Sequence, residues 1–357
     1  MALNALDKRT QDVLTASYAL PDLETAVQQV FYNAVDAHAK TIKLSLDVMK
    51  ASFTVVDDGD GIHPDNLYAY IGEHYATSRL ATDVSEQQKP YGSRGAFLYE
   101  LTSLAAAVEI ESRVQEHWTS YRKVFQDGEV IFNARSRDLR EAPGTKISVS
   151  NLFSKLPVRS KDLLRNLKHR TLVIRKIHDF CVSMSMIWPS LSFDIRFQDE
   201  AKPVIIPSAK SCHERFLAHF GPLLGNELQY VSYSSETTQF SIRGYFAFIP
   251  SGSEGLGQGI KQAKTYYQFA FLENEWVDEC HQVCSRVITD AALELSSSIP
   301  IFVLKVEIPR DHFDTSGIGR KESLHFKAPG QFHQFLFEFV QKLAATEESK
   351  AEVKIPT

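Results

Sequence analysis

Cysteine is scarce in this chain: only Cys181, Cys212, Cys280 and Cys284 occur in 357 residues. That number excludes a disulfide scaffold and suits a reducing compartment. Cys280-His281 and Cys284 have no second ligand pair at finger-like spacing, so they read as a helix surface with a half-buried thiol rather than a zinc site. No apolar run reaches the length of a membrane span, and no leader-like stretch is present, so a soluble intracellular protein without a membrane partner is expected. A strong charge of one sign is missing too. The net charge of −5 excludes a general nucleic-acid field, and any DNA contact must come from a local patch. Repeats and low-complexity tracts are absent. What remains is 43% hydrophobic and 23% charged, ordinary globular usage at a length that suggests about two or three domains.

Hydrophobic spacing divides the chain into two mixed halves. Residues 22–37 place Leu23, Ala26, Val27, Val30, Phe31, Ala34 and Val35 at amphipathic-helix spacing, with Pro21-Asp22 as a start signal and Glu24 in the first turn. Residues 42–46 alternate as a strand, and 53–56 read as a buried one. Short helical pieces mixed with Gly and Ser over 65–100 suggest a mobile cover. A strand meander is expected at 108–113, 118–125 and 130–132, a further strand at 146–150, and one long helix from about 159 to 187. The polar stretch 198–203 marks a boundary. Beyond it, helices are expected near 211–220, 278–296 and 330–346, and strands near 227–233, 238–248, 266–273 and 301–308. The tail from Thr346 reads as disordered. Mostly antiparallel strands make the class α+β rather than doubly wound.

The buried run 53–56 ends in Asp57-Asp58-Gly59-Asp60-Gly61-Ile62. A carboxylate followed by two glycines is a common turn, and it is equally a turn that lets a ring or phosphate approach the main chain. A calcium loop fails because its fifth position would be Ile62 and the required Gly and Glu spacing is missing. Gln29 and Asn33 lie one turn apart on one helix face, with Asp36 three residues on. That stripe reads as a solvated face or as a ligand-bearing one. Order along the chain favours a ligand: the Asn33 helix, the Asp57 turn, a segment with residues 75–80 and 91–96, then Gly144-Thr145 opening a strand. Asp57 can accept from an exocyclic adenine amine, Asn33 offers an amide oxygen to Mg²⁺, and Gly92 and Gly95 can present N–H groups to phosphate.

On these residues the chain resembles the MutL family of DNA mismatch-repair ATPases, within the gyrase, chaperone and histidine-kinase superfamily. The matching stretches are Asn33-Ala34-Val35-Asp36-Ala37, the Asp57 turn, Tyr75 to Leu80, Gly92 to Leu98, Gly144-Thr145 followed by Leu152-Phe153 and Pro157, and residues 302–309 with Asp314 and Lys321. The similarity spans about residues 15–345. It implies an α+β ATPase sandwich at 1–205 with a lid at about 65–100. A ribosomal-protein-like α/β transducer at 206–345 would follow, then a disordered tail at 346–357. It further implies ATP and Mg²⁺ as cofactors, with Asn33 the Mg²⁺ ligand and Asp57, Gly59 and Gly61 the adenine turn. Thr145 would support adenine through water, and Thr77, Ser78, Arg79, Gly92, Arg94 and Gly95 would bind or cover phosphates. Lys321 would reach the γ-phosphate from the second domain. The implied partners are another MutL homologue as heterodimer partner, duplex DNA and a MutS-type mismatch-recognition complex. The implied setting is the nucleus of a eukaryote, in the meiotic branch of the family.

The pattern also breaks. The family's general-base glutamate is Gln29 here, and an amide cannot take the proton. Ala96 and Phe97 replace a customary glutamate, and Ser316, Ile318 and Gly319 replace the Asn, His and Pro near Lys321. ATP binding with slow or lost hydrolysis is therefore expected; a non-catalytic interaction protein with a vestigial pocket is the alternative. Glu24 or Asp36 as a substitute base is the competing reading, and Glu24 is the poor candidate, being on the opposite side of the helix from Asn33. No late His/Cys/Asp cluster of nuclease type is present, so no nuclease activity is expected. Lys168, Arg170 and Arg175, interleaved with leucines on the expected 159–187 helix, read as a solvated face or a DNA-facing stripe.

Overall fold

A computed structural model describes residues 6–73, 95–198, 202–250, 267–316 and 323–352. It divides into two compact units. One is built from residues up to Ser185 with Ser190–Ser208; the other from Met186–Pro189, Ala209–Gly317 and the chain from Glu322 onward.

The first unit opens with α1 (Lys8–Ala19), an element the hydrophobic spacing does not announce because its buried positions, Ala16, Ser17 and Ala19, are small. Asp7 caps it by accepting from the Thr10 N–H at 2.9 Å. In α2 (Leu23–Asp36), Asp22 plays the same part for Thr25 N–H at 2.9 Å, as the start signal predicts. The strands and helices that follow are β1 (Thr41–Asp47), β2 (Ser52–Asp57), α3 (Pro64–Ala69), α4 (Phe97–Leu104), β3 (Ala107–Arg113), β4 (Tyr121–Gln126), β5 (Glu129–Arg135) and β6 (Gly144–Ser150). Then come α5 (Pro157–Arg165), α6 (Leu167–Ile187), β7 (Ser192–Phe197) and β8 (Val204–Ile206). The eight strands form one sheet in the order β5-β4-β3-β6-β2-β1-β7-β8, antiparallel except for β1 beside β7. Alternation sends Ile42, Leu44 and Leu46 of β1 and Phe53 and Val55 of β2 inward, where α2 lays Val27, Val30 and Phe31 against the same core. Phe31 stacks on Phe180 of α6 at 5.9 Å and tilts against Phe193 of β7. Each such side chain contributes about 1.5–3 kcal/mol on burial.

The single helix expected over 159–187 is two. Asn166 ends α5 with extended backbone, and its side chain accepts from the His169 N–H at 3.1 Å, capping α6. The leucine spacing runs through this break, which is why periodicity alone does not reveal it.

The second unit contains α7 (Cys212–Phe220), α8 (Pro222–Gly225), β9 (Gln229–Ser234), β10 (Ser241–Pro250), β11 (Gln268–Leu272), α9 (Asp278–Ser296) and β12 (Ser298–Glu307). A small hairpin of β13 (Phe313–Ser316) and β14 (Ser323–Phe326) follows, and α10 (Pro329–Glu352) closes the unit. Its four-stranded sheet runs β11-β12-β10-β9, with β11 and β12 parallel. The core gathers Phe246, Phe302, Ile288, Phe335 and Phe339. Two expectations change here. Cys280 and Cys284 face this core and are fully buried rather than half-exposed, and the chain past Thr346 continues as helix to Glu352.

Candidate functional site

Four strand ends bring one polar row to the edge of an apolar face. Val55 pairs across to Ile147, and Ile147 to Ile110, an apolar row shared by β2, β6 and β3. One inward step on, the same phase carries Asp57, Thr145 and Ser112, with Ile42 of β1 opposite Asp57. All three polar residues are buried. Strand alternation thus delivers a carboxylate and two hydroxyls where the core would otherwise continue.

Their hydrogen bonds close on one another. Asp57 Oδ1 accepts from the Gly59 N–H at 2.9 Å and the Thr145 N–H at 3.1 Å. Ser112 Oγ lies 3.0 Å from Thr145 Oγ1, donates to the Gly144 carbonyl at 3.0 Å, and accepts from the Ile62 N–H at 2.8 Å. Asp57 Oδ2 has no hydrogen bond among the described residues. Burial pushes the Asp57 carboxyl above its ordinary range and Asp58 adds to the rise, while the Gly59 and Thr145 bonds and the Arg140 guanidinium pull the other way. Close backbone approach dictates two glycines. At Gly144, with φ +125°, a Cβ would collide with the Asp57 carbonyl oxygen; at Gly61, with φ +77°, it would strike the Arg113 carbonyl.

The helix bearing Asn33 meets this turn. Asp60 N–H donates to the Ala37 carbonyl at 2.8 Å, one helical turn beyond Asn33. Asn33 is half-buried, and its side-chain amide makes no hydrogen bond among the described residues. Gln29 lies a turn earlier, also half-buried. Glu24 is buried, with its Oε1 on the Lys176 ammonium of α6 at 2.7 Å, so it is committed to the fold rather than to the Asn33 face. Asp58 Oδ1 accepts from the Lys40 and Thr41 N–H groups at 2.8 Å each, which makes it a brace for the start of β1 rather than a cation ligand.

Gly95 stands at φ +61° just before α4, whose N-cap Ala96 supplies no side-chain bond. Thr77, Ser78, Arg79, Gly92, Arg94 and Lys321 lie outside the described residues. The basic stripe divides. Arg170 Nη1 donates to the Leu163 and Leu164 carbonyls at 3.1 and 2.7 Å, closing the end of α5, and Arg175 Nε lies 3.5 Å from Asp179. Lys168 is exposed. Three participants escape motif reading: Ser112, Arg113 and Arg140. Ser112 carries a faint signal, a polar residue at the inward phase of β3; the arginines carry none.

Residues 21–155 match the family described as histidine kinase-, DNA gyrase B-, and HSP90-like ATPase. The unit that holds this stretch has the mixed α+β fold of gyrase B- and MutL-type ATPases. More narrowly, the resemblance to MutL-type mismatch-repair proteins holds across sequence and structure. The human DNA mismatch repair protein Mlh3 is 27% identical over 69% of this chain and 16% of its own length. DNA mismatch repair protein MutL of Neisseria meningitidis serogroup C (strain 053442) is 25% identical over 90% of this chain and 46% of its own. The chain thus spans less than half the length of these relatives. Among solved structures, the N-terminal domain of a DNA repair protein superposes with a TM-score of 0.72 at 20% identity, covering 97% of this chain and 99% of that one. The Aquifex aeolicus MutL ATPase domain complexed with ADP gives 0.52 at 17% identity, over 80% and 91%. These two likenesses speak to fold.

Proposed function

We propose that the chain is the nucleotide-binding part of a mismatch-repair factor, taking ATP with Mg²⁺ and hydrolysing it slowly or not at all. The observation that carries this reading is the buried Asp57 carboxylate, with one oxygen satisfied by the fold and the other left for a donor. An adenine amine supplies that donor, and Thr145 and Ser112 provide hydroxyls beside it. The residues fit a hard cation as well, since the Asn33 amide is half-buried and makes no side-chain hydrogen bond among the described residues. Bound there, Mg²⁺ would neutralise triphosphate charge. Gly95 would present its main-chain N–H to a phosphate, and Thr77, Ser78, Arg79, Gly92 and Arg94 complete the phosphate cover in this proposal.

Gln29 sets the rate. It can orient a water but cannot accept its proton, and loss of a positioned base costs about 10²–10⁴ in turnover. Lys321 would contact the γ-phosphate in this proposal, and nucleotide state would couple to pairing with another MutL homologue and to duplex DNA held in the nucleus. Lys168 and Arg175 are the better candidates for phosphate contact, because Arg170 caps α5. Gln29 and Ala96 also favour a second reading, an interaction protein whose pocket is vestigial.

Single-turnover hydrolysis by the wild-type chain and by Gln29→Glu decides the matter of rate. The proposal expects a gain of about 10²–10⁴ in the substituted chain. Equal rates would remove the amide argument.

A further inference from the structure

Arg140 reaches the pocket from the irregular segment between β5 and β6. Its Nη2 donates to the main-chain carbonyl of Asp57 at 2.9 Å. Its Nε is buried and without a partner among the described residues. The segment is held firmly for a loop. Arg113 Nη1 donates to the Arg140 and Glu141 carbonyls at 2.7 and 2.8 Å, and Arg140 N–H donates to Ser120 Oγ at 2.8 Å. Arg113 is itself fixed, with Nε on the His117 carbonyl at 3.0 Å and its guanidinium over Trp118 at 5.6 Å. Arg113 and Ser120 therefore fix the segment that sets the Arg140 guanidinium on the main chain of Asp57.

The other charged groups around Asp57 do not replace it. Asp58 is of like sign and is occupied with the Lys40 and Thr41 N–H groups. Asp60 pairs with His38 at 2.6 Å on the exposed outer side of the turn. Glu111 and Arg113 of β3 act on Arg140, in opposite directions. The turn also meets the Ala37 carbonyl at the end of α2, the Thr145 N–H of β6 and Ile42 of β1.

We infer that Arg140 is a specificity-positioning residue: it holds Asp57 as an acceptor-only carboxylate, so the pocket takes a base with an exocyclic amine and refuses one with a carbonyl there. This rests on the nucleotide reading above. An ionised carboxylate has no proton to give, so a hypoxanthine carbonyl would meet it lone pair to lone pair. A neutral carboxyl would donate its O–H to that carbonyl and accept the base. Without the guanidinium, burial and Asp58 favour the neutral form against the Gly59 and Thr145 N–H bonds alone.

ADP and IDP differ at C6, an amine against a carbonyl, and at the adjoining N1, which carries a hydrogen only in IDP; their affinities can be titrated calorimetrically across pH. The chains to compare are wild type, Arg140→Gln and Arg140→Lys. Glutamine keeps a donor for the Asp57 carbonyl without the charge; lysine keeps the charge. Wild type is expected to prefer ADP by about tenfold to a hundredfold near neutral pH. In Arg140→Gln that preference should shrink toward the acid end of the pH range and return as pH rises, and Arg140→Lys should keep it. An Arg140→Gln chain that holds the wild-type ratio at every pH, or that loses both nucleotides equally without pH dependence, overturns the inference. Wild-type protein that binds neither nucleotide overturns the nucleotide reading as well.

Discussion

Asp57 is held at a cost that titration should expose. Its carboxyl is raised above 3.8 chiefly by burial, so the folded chain binds that proton more tightly than the unfolded chain. Ionisation is thus harder in the folded state, and ligand-free stability should fall as pH climbs from about that value through the raised one, then level off. Asp57→Asn should flatten this region in urea denaturations at stepped pH, with a melting temperature no lower than wild type near neutrality. Gly144→Ala should behave oppositely, losing about 1–3 kcal/mol at all pH values, because φ +125° and the Asp57 carbonyl leave no room for a Cβ. A Gly144→Ala chain of wild-type stability would show that the strand end relaxes freely. Turn chemistry marks Asp57 in the sequence, and the order of motifs with the family resemblance picks out Gly144 and Thr145. Ser112 and Arg140 were not legible there, since their roles depend on which strand lies beside which.

At the level of elements, α2 was readable nearly to its ends, from an apolar stripe and an aspartate cap. The stretch 157–187 was not, because Leu163, Leu164, Leu167 and Leu172 keep an unbroken spacing across the Asn166 break. That break reassigns a basic residue. Arg170→Ala should cost about 1 kcal/mol in urea unfolding through the lost carbonyl caps, and Lys168→Ala should stay within about 0.5 kcal/mol. In duplex binding at two ionic strengths, Lys168→Ala and Arg175→Ala should reduce the salt dependence. Binding unchanged by both would leave α6 as an ordinary solvated face. The edge strand β5 was expected only as residues 130–132. It runs Glu129–Arg135 and carries an irregularity opposite Val124 and Phe125, where an extra residue bends the edge and blunts it against further pairing.

For the whole molecule, the α+β class and the alternation of helices and strands followed from hydrophobic period, while sheet order did not. Nothing local says that β2 lies between β6 and β1, or that β1 runs parallel to β7, because those pairings join segments up to about 150 residues apart. Yet the site depends on that order, which brings Asp57, Thr145 and Ser112 into one row. Ligand linkage gives the molecular readout: at about a hundredfold excess over its dissociation constant, nucleotide should stabilise the chain by about 2.7 kcal/mol. The most direct measurement is calorimetric titration of a non-hydrolysable ATP analogue, with Mg²⁺, into the wild-type chain and into Asp57→Asn. One saturable site in the wild type, abolished in the folded Asp57→Asn chain, is the predicted result. No binding heat in the wild type, or the same isotherm from both chains, would contradict it.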